Sequence, residues 1–297
     1  MKNTILDKDN HGIIPPGMTA PQKLLLAACS LFFLVFVYIF VKAFFGTSLH
    51  LPAIPGGPYG KVIPLALFAF TYFAYTRGFK SASFLALFAL VYCWSIEELS
   101  IHTGFPFGHY YYSDALGYKL DVVPILLGLN YFWVLMLPTF FLSNLITQGS
   151  FLNYGKSWKT LLFTSFVTSI LIAGIDMAVD PLDATKLSEW VWTKNSYTGY
   201  YGIPYSNYLG YIITMTPAFF IYRLVERKFG AKPFGPVNRY VAGLALLSYL
   251  MTFMLYSLPA PSGVSLVACF TMLFPLILAY DKLNKLFSGQ TTGLQEE

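Results

Sequence analysis

The feature that most constrains this chain is the length of its apolar runs. From Lys23 to Phe45 the sequence carries a stretch of about 22 residues broken only by Lys42 near its end, enough helix to cross the ~30 Å hydrocarbon core of a bilayer. Seven further runs follow, and the candidate spans are 23–45, 62–77, 81–101, 122–146, 159–180, 207–225, 239–258 and 263–281, the second being the shortest. The expected fold is an all-α integral membrane protein, a polytopic bundle of about eight transmembrane helices. Composition agrees, with 56% hydrophobic and 11% charged residues, against about 25% charged in soluble domains. Cys29, Cys93 and Cys269 all lie in apolar runs, which is neither a disulfide framework nor a metal cluster. No small-residue cleavage site follows the first run, so it reads as a retained span. The expected division is a flexible cytoplasmic tail over 1–22, one transmembrane domain over 23–285 and a flexible tail over 286–297, with the Pro/Gly loop 51–60 re-entrant or at the interface.

Lys and Arg set the orientation. Of the 19 in the chain, all but Lys42, Lys61, Lys119, Lys186 and Lys194 fall on the side that holds both termini. The termini are therefore expected to be cytoplasmic, in a multi-pass protein of the cell inner membrane. The net charge of +5 follows this topology and forms no basic face, so no nucleic-acid partner is expected. Acidic residues lean the other way: Glu97, Glu98, Asp114, Asp121, Asp176, Asp180, Asp183 and Glu189 fall at or near the non-cytoplasmic ends, placing the expected site on that face.

An ionised acid within a span costs about 2.5–3.5 kcal/mol, so such residues usually face the bundle interior and carry a role. Glu97 lies about 24 Å along its span from Ser81, and Asp176 about 26 Å along its span from Lys159, which puts both at one level. Asp176 and Asp180 are four apart on one helix face. Pro181 is expected to end that helix at Asp180, leaving Asp176 buried and Asp180 wetter. Glu97 and Glu98 point about 100° apart, so only one can serve a common site. The plain alternative is that these are helix-end residues without chemistry. It is weakest for Asp176, whose depth in the span no Lys or Arg of the same span offsets.

Two aromatic loops flank the carboxylates. Phe105, Phe107, Tyr110, Tyr111 and Tyr112 follow the third span, and Trp190, Trp192, Tyr197, Tyr200, Tyr201, Tyr205 and Tyr208 precede or open the sixth. An interfacial belt explains part of this density. A ring-lined pocket that stabilises positive charge explains the rest. His102 and His109 are seven apart across Gly and Pro, match no familiar ligand spacing, and read as solvated or hydrogen-bonded loop residues, so no metal is expected.

Glu97, then Thr103-Gly104-Phe105-Pro106-Phe107-Gly108, Tyr110-Tyr111-Tyr112 and Leu116-Gly117, then Asp176 and Asp180-Pro181, then Trp190-Val191-Trp192, Tyr200-Tyr201-Gly202-Ile203-Pro204 and Asn207-Tyr208-Leu209-Gly210, together resemble the carotenoid-biosynthesis membrane family that includes carotenoid 1,2-hydratases and bisanhydrobacterioruberin hydratase. The resemblance spans about 90–215, with His102 and His109 as departures from the pattern. It implies water addition across the terminal 1,2 double bond of an acyclic carotenoid end, without a cofactor. Asp176 is then the expected acid, Glu97 its partner or an alternate acid, and Asp180 with Asn207 the group that positions and deprotonates water. Phe107, Tyr110, Tyr112, Trp190, Trp192, Tyr200 and Tyr201 are the expected substrate pocket. The expected partners are a carotenoid lipid, the membrane, and other enzymes of the same pathway. A lycopene-type cyclase, which excludes water from the same cation, and a proton-coupled carrier stay open. The Asp-x-x-x-Asp spacing also resembles membrane prenyltransferases, but their second acidic motif is missing here.

Overall fold

The computed structural model describes residues 14–15, 17–152, 157–184, 187–193 and 199–288. Most of both expected tails, and Lys186, Lys194 and Tyr197, lie outside the described residues. Eight long helices account for the spans: α1 (Ala20–Phe45), α2 (Gly57–Arg77), α3 (Phe79–Thr103), α4 (Leu127–Gln148), α5 (Trp158–Asp183), α6 (Tyr205–Phe229), α7 (Arg239–Ser257) and α8 (Ser262–Phe287). All except α2 are both long and apolar enough to cross a membrane. Lys61, Pro64 and a cluster of tyrosines make α2 the exception, although it packs against α1. Its first turn starts at Gly57, inside the stretch expected to be loop.

Local chemistry sets the helix ends. Thr19 caps α1 in a reciprocal box with Gln22, whose amide also donates to Phe234 O at 2.6 Å and ties the start of α1 to the loop before α7. Asn238 caps α7 by accepting from Val241 N. Gly104 ends α3 in the left-handed conformation, φ 78°, that glycine adopts without strain.

α4 is the most enclosed helix, whereas α1 and α8 turn most of their surface outward. That outward surface is apolar, with Leu24, Leu31, Leu34, Phe270, Phe274 and Ile277 all exposed. It is the surface expected of a bundle solvated by lipid chains. The core runs through Phe68, Tyr72, Phe73, Phe132, Phe140 and Phe141, whose rings meet at 5.2–5.9 Å, most of them edge-on or tilted.

Three helices carry a π-helical turn: Ala89–Cys93 in α3, Tyr131–Met136 in α4 and Cys269–Leu273 in α8. Such turns insert an extra residue and re-aim the side chains beyond them. The turn in α3 lies one helical turn before Glu97, and that in α4 opens on Tyr131.

One expectation is corrected. The helix does not stop at Asp180: α5 continues through Pro181 to Asp183, and Ala184 N still bonds Asp180 O at 2.9 Å. Pro181 sits in the last turn, where its missing N–H removes a single bond. Hydrogen bonds hold that turn against the local preference: Asn207 donates to the Asp180 carboxyl at 2.7 Å, and Glu189 N donates to Asp183 O at 3.0 Å. As a result Asp180 is no wetter than Asp176; they are 3% and 4% exposed.

Candidate functional site

The two aromatic loops meet as a short antiparallel ribbon. The strand Tyr110–Tyr112 pairs with the strand Trp190–Trp192 in the register Tyr110↔Trp192 and Tyr112↔Trp190. Alternation along a strand puts Tyr110 and Tyr112 on one face and Tyr111 on the other. The inward tyrosines are buried and Tyr111 is exposed. Cross-strand partners share the inner face, so Tyr110 packs on Trp192 at 4.8 Å and Tyr112 on Trp190 at 6.3 Å. This four-ring plate covers the ends of α3, α5 and α6.

Beneath it lie the carboxylates. Glu97 accepts hydroxyl hydrogen bonds from Tyr110 and Tyr112 of the ribbon and from Tyr131 of α4, the Tyr112 bond at 2.9 Å. Burial first, and then the Glu97 charge, push the Tyr110 and Tyr112 phenols far above their ordinary range, so both stay protonated as donors. An acid ringed by three donors is held as an acceptor.

On the other wall, the Asn207 amide of α6 donates to Asp176 Oδ2 at 2.6 Å and to Asp180 Oδ2 at 2.7 Å. One nitrogen thus clamps the two carboxyls together. Tyr131 and Tyr211 hydroxyls stand 3.0 Å apart between the two walls. Glu97, Asp176, Asp180, Asn207, Tyr110, Tyr112, Trp190 and Trp192 all face one small cavity of about 50 Å³. A single water centre needs about 10–15 Å³ in this measure, so the cavity holds a few waters at most.

A second cavity of about 380 Å³ adjoins it. Phe36 and Ile39 of α1, Val62 and Leu65 of α2, Trp133 and Leu135 of α4, and Leu182 line it, which makes it largely apolar. Asp176, Leu127, Tyr131, Trp190 and Tyr211 face both cavities, whereas Glu97, Asp180 and Asn207 face only the small one. Lys61, Asp183 and Glu189 form a polar rim to the large cavity. Burial pushes the Glu189 carboxyl up, and Lys61 partly offsets it.

The remaining expected pocket residues sit differently. Phe107 is buried against Tyr211 at 5.0 Å and supports the site from behind. It lies over Gly210, where any side chain would meet its ring and Pro106 O. Tyr200 packs on Tyr208, and Tyr201 is 44% exposed beside Gly263; neither lines either cavity. Glu98 turns away from Glu97 and bonds His102 at 2.9 Å, with Asp121 nearby, so that the three could hold a metal ion on the outer surface. The His109 ring lies where a side chain on Gly104 would stand.

Tyr131 and Tyr211 are the residues of this cluster that sequence reasoning misses. Tyr211 lies four residues after Asn207 on the same helix face, a signal that was present. Tyr131 has no local signal; only the packing of α4 brings it to Glu97.

Comparison with known proteins places this geometry. Residues 58–278, well over half of the chain, match the model of a family described as carotenoid biosynthesis protein. Bisanhydrobacterioruberin hydratase from Haloarcula japonica is 29% identical over 140 residues, which are 46% of this chain and 44% of that protein. The chain therefore aligns with less than half the length of this relative. No solved structure matches. On the family match, which takes in every residue of the cluster beneath the aromatic ribbon, the chain belongs to the carotenoid biosynthesis protein family.

Proposed function

We propose that this protein hydrates the terminal double bond of an acyclic carotenoid end. The observation that carries the reading is that Asp176 stands at the junction of an apolar cavity and a water-sized polar one. Hydration of a trisubstituted alkene needs a proton at C2, stabilisation of the tertiary cation at C1, and a water with a proton acceptor beside it. The large cavity is within the 300–1,000 Å³ range of ligand sites and takes one apolar end. Asp176, reaching that end, is the acid. Two carboxyls clamped on one amide favour holding a single proton between them, which supplies an acid and a base in one place.

The Glu97 carboxyl, ringed by three hydroxyl donors, and the faces of Trp190 and Trp192 offset the cation as it forms. The water occupies the small cavity with Asp180 and Asn207, and it loses its proton to a carboxylate there. Oriented groups replace a cofactor in this scheme. The similarity to bisanhydrobacterioruberin hydratase, whose name is that of a water-adding enzyme, supports the same reading.

The test is expression in a host that accumulates lycopene, followed by mass analysis of the extracted pigments. The expected product gains one water per modified end. A less polar isomer of unchanged mass would mean cyclisation, and unchanged pigment would remove the enzyme reading.

A further inference from the structure

Away from the carboxylates lies an opening that the proposed function does not use. It is a groove of about 500 Å³ between α7 and α8. α7 gives it Gly243, Leu246, Leu247 and Leu250, and α8 gives it Leu273, Leu276 and Ile277, an apolar stripe from each helix. We propose that this groove binds one anionic phospholipid, with an acyl chain between the two helices and the phosphate on Arg239. The proposal is independent of the hydration reading.

The shape fits a single chain. Leu246, Leu276 and Leu283 are buried and form the floor, whereas Leu247 and Ile277 are exposed and form the rims. Gly243 makes the room, since a side chain there would meet nothing within 4 Å. The length fits as well. Arg239 and Leu250 on α7, and Leu273 and Asn284 on α8, are each eleven positions apart, or about 16 Å of helix. Half of the ~30 Å hydrocarbon core is about 15 Å, so the groove takes a chain from one leaflet. That leaflet is the one away from the candidate site, because α6 starts at the site with Asn207 and ends before the loop that leads into α7.

The outer end of the groove is cationic. Arg239 opens α7 there, and its guanidinium lies over the Phe287 ring at 5.7 Å, which keeps it at the mouth. Asn284 and Tyr280, on the turns of α8 that precede Phe287, add polar groups to the same wall. Arg239 is exposed and, among the described residues, no carboxylate forms an ion pair with it. The acid next along α8, Asp281, is held by Lys285 at 2.6 Å, and no acidic side chain lines the groove. A guanidinium at the wet end of an apolar slot matches a phosphate, whose oxygens accept two of its N–H groups at once. A carotenoid offers Arg239 no charge, and the charge at the mouth therefore decides for a phospholipid.

The test uses the full chain in detergent, native mass spectrometry, and phosphatidylglycerol and phosphatidylcholine of identical acyl chains as probes. Wild type is expected to keep one phosphatidylglycerol per chain and to bind it at least about fivefold more tightly than phosphatidylcholine, the worth of one basic residue at a membrane surface. Arg239→Gln should bring the two lipids to within about twofold of each other. Gly243→Leu fills the groove and leaves Arg239 in place, so it should lose the one-per-chain lipid of either kind. If that variant fails to insert, Gly243→Val takes its place, with binding of both lipids expected to weaken at least about fivefold. Equal binding of the two lipids by wild type, or a preference that survives Arg239→Gln, would overturn the proposal and leave only the ordinary lipid annulus. Lipid retained unchanged in the Gly243 variant would overturn it too. A dimer that the Gly243 substitution dissolves would overturn it in favour of a second copy of the chain, and lycopene that displaces phosphatidylglycerol from wild type would overturn it in favour of a pigment.

Discussion

The bundle buries charge in two places, and they are built on opposite plans. The second lies about 24 Å further along α6 from Asn207 by the helical rise, at Arg223 and Glu226. There, Arg77 of α2 meets Glu226 in a two-pronged pair at 2.7 and 3.0 Å, and also donates to Leu152 O. Arg223 donates to Ser143, Asn144, Ser165 and Thr168 and lies over the Phe140 ring at 4.8 Å. Opposite charges are present, all are fully buried, and neither of the two site cavities reaches them. At the other end stand three carboxyls which, among the described residues, have no cation in an ion pair with them, facing two cavities. Buried charge that is neutralised and closed off holds helices together. Buried acids with no opposite charge, facing cavities, cost stability and mark a candidate site.

The sharpest way to break that contrast is to neutralise one carboxyl at each end. Asp176→Asn keeps shape and removes the acid, so turnover is expected to fall at least about 100-fold while the amount of inserted protein stays near wild type. Retained hydration in that variant would remove Asp176 from the scheme. Glu226→Gln should do the reverse. It leaves Arg77 buried without its counter-ion, a loss of about 3–5 kcal/mol. The expected readout is a lower melting temperature in detergent and less inserted protein, with the specific activity of what remains within about twofold.

A finer cut lies inside the site. Tyr112→Phe removes one of three donors to Glu97 and leaves the ring on Trp190. The loss of a hydrogen bond to a charged group is worth about 1.5–3 kcal/mol, so turnover is expected to drop on the order of 10- to 100-fold, with little change in the apparent affinity for substrate. Equal effects on both would mean that Tyr112 shapes the pocket and does not tune the carboxylate.

How much of this contrast could be read from the chain depends on how local each cause is. Span positions follow from run length and apolarity, and every helix begins or ends within a few residues of the expectation. The level of Glu97 and Asp176 follows from counting residues along two helices, which is why their meeting was foreseeable. Pro181 misleads because the rule for the residue before proline is a backbone preference of limited strength, and the hydrogen bonds made at Asp180 and Asp183 outweigh it. Tyr131 is illegible for the opposite reason: nothing near it in sequence marks it, and its role is created by α4 packing against α3. The ribbon is legible only as two aromatic loops; its register, which sends Tyr110 and Tyr112 inward, belongs to the tertiary structure.

The smallest expected effect tests whether aromatic density alone makes a pocket. Tyr201 looks like Tyr110 in the sequence, since both sit in tyrosine runs close to glycine. The structure separates them. Tyr110 is buried and donates to Glu97, whereas Tyr201 is 44% exposed, faces neither cavity and packs edge-on to Tyr200 at 4.8 Å. Tyr201→Phe keeps that ring contact and removes only the hydroxyl beside Gly263, so its stability should lie within about 0.5 kcal/mol of wild type and its turnover within about twofold. Tyr110→Phe should lose turnover on the scale of Tyr112→Phe. A Tyr201→Phe variant that lost as much as Tyr110→Phe would extend the working surface beyond the ribbon to the hairpin that pairs Gly199–Tyr200 with Ile203–Pro204, and the boundary drawn around the three carboxyls would have to move outward with it.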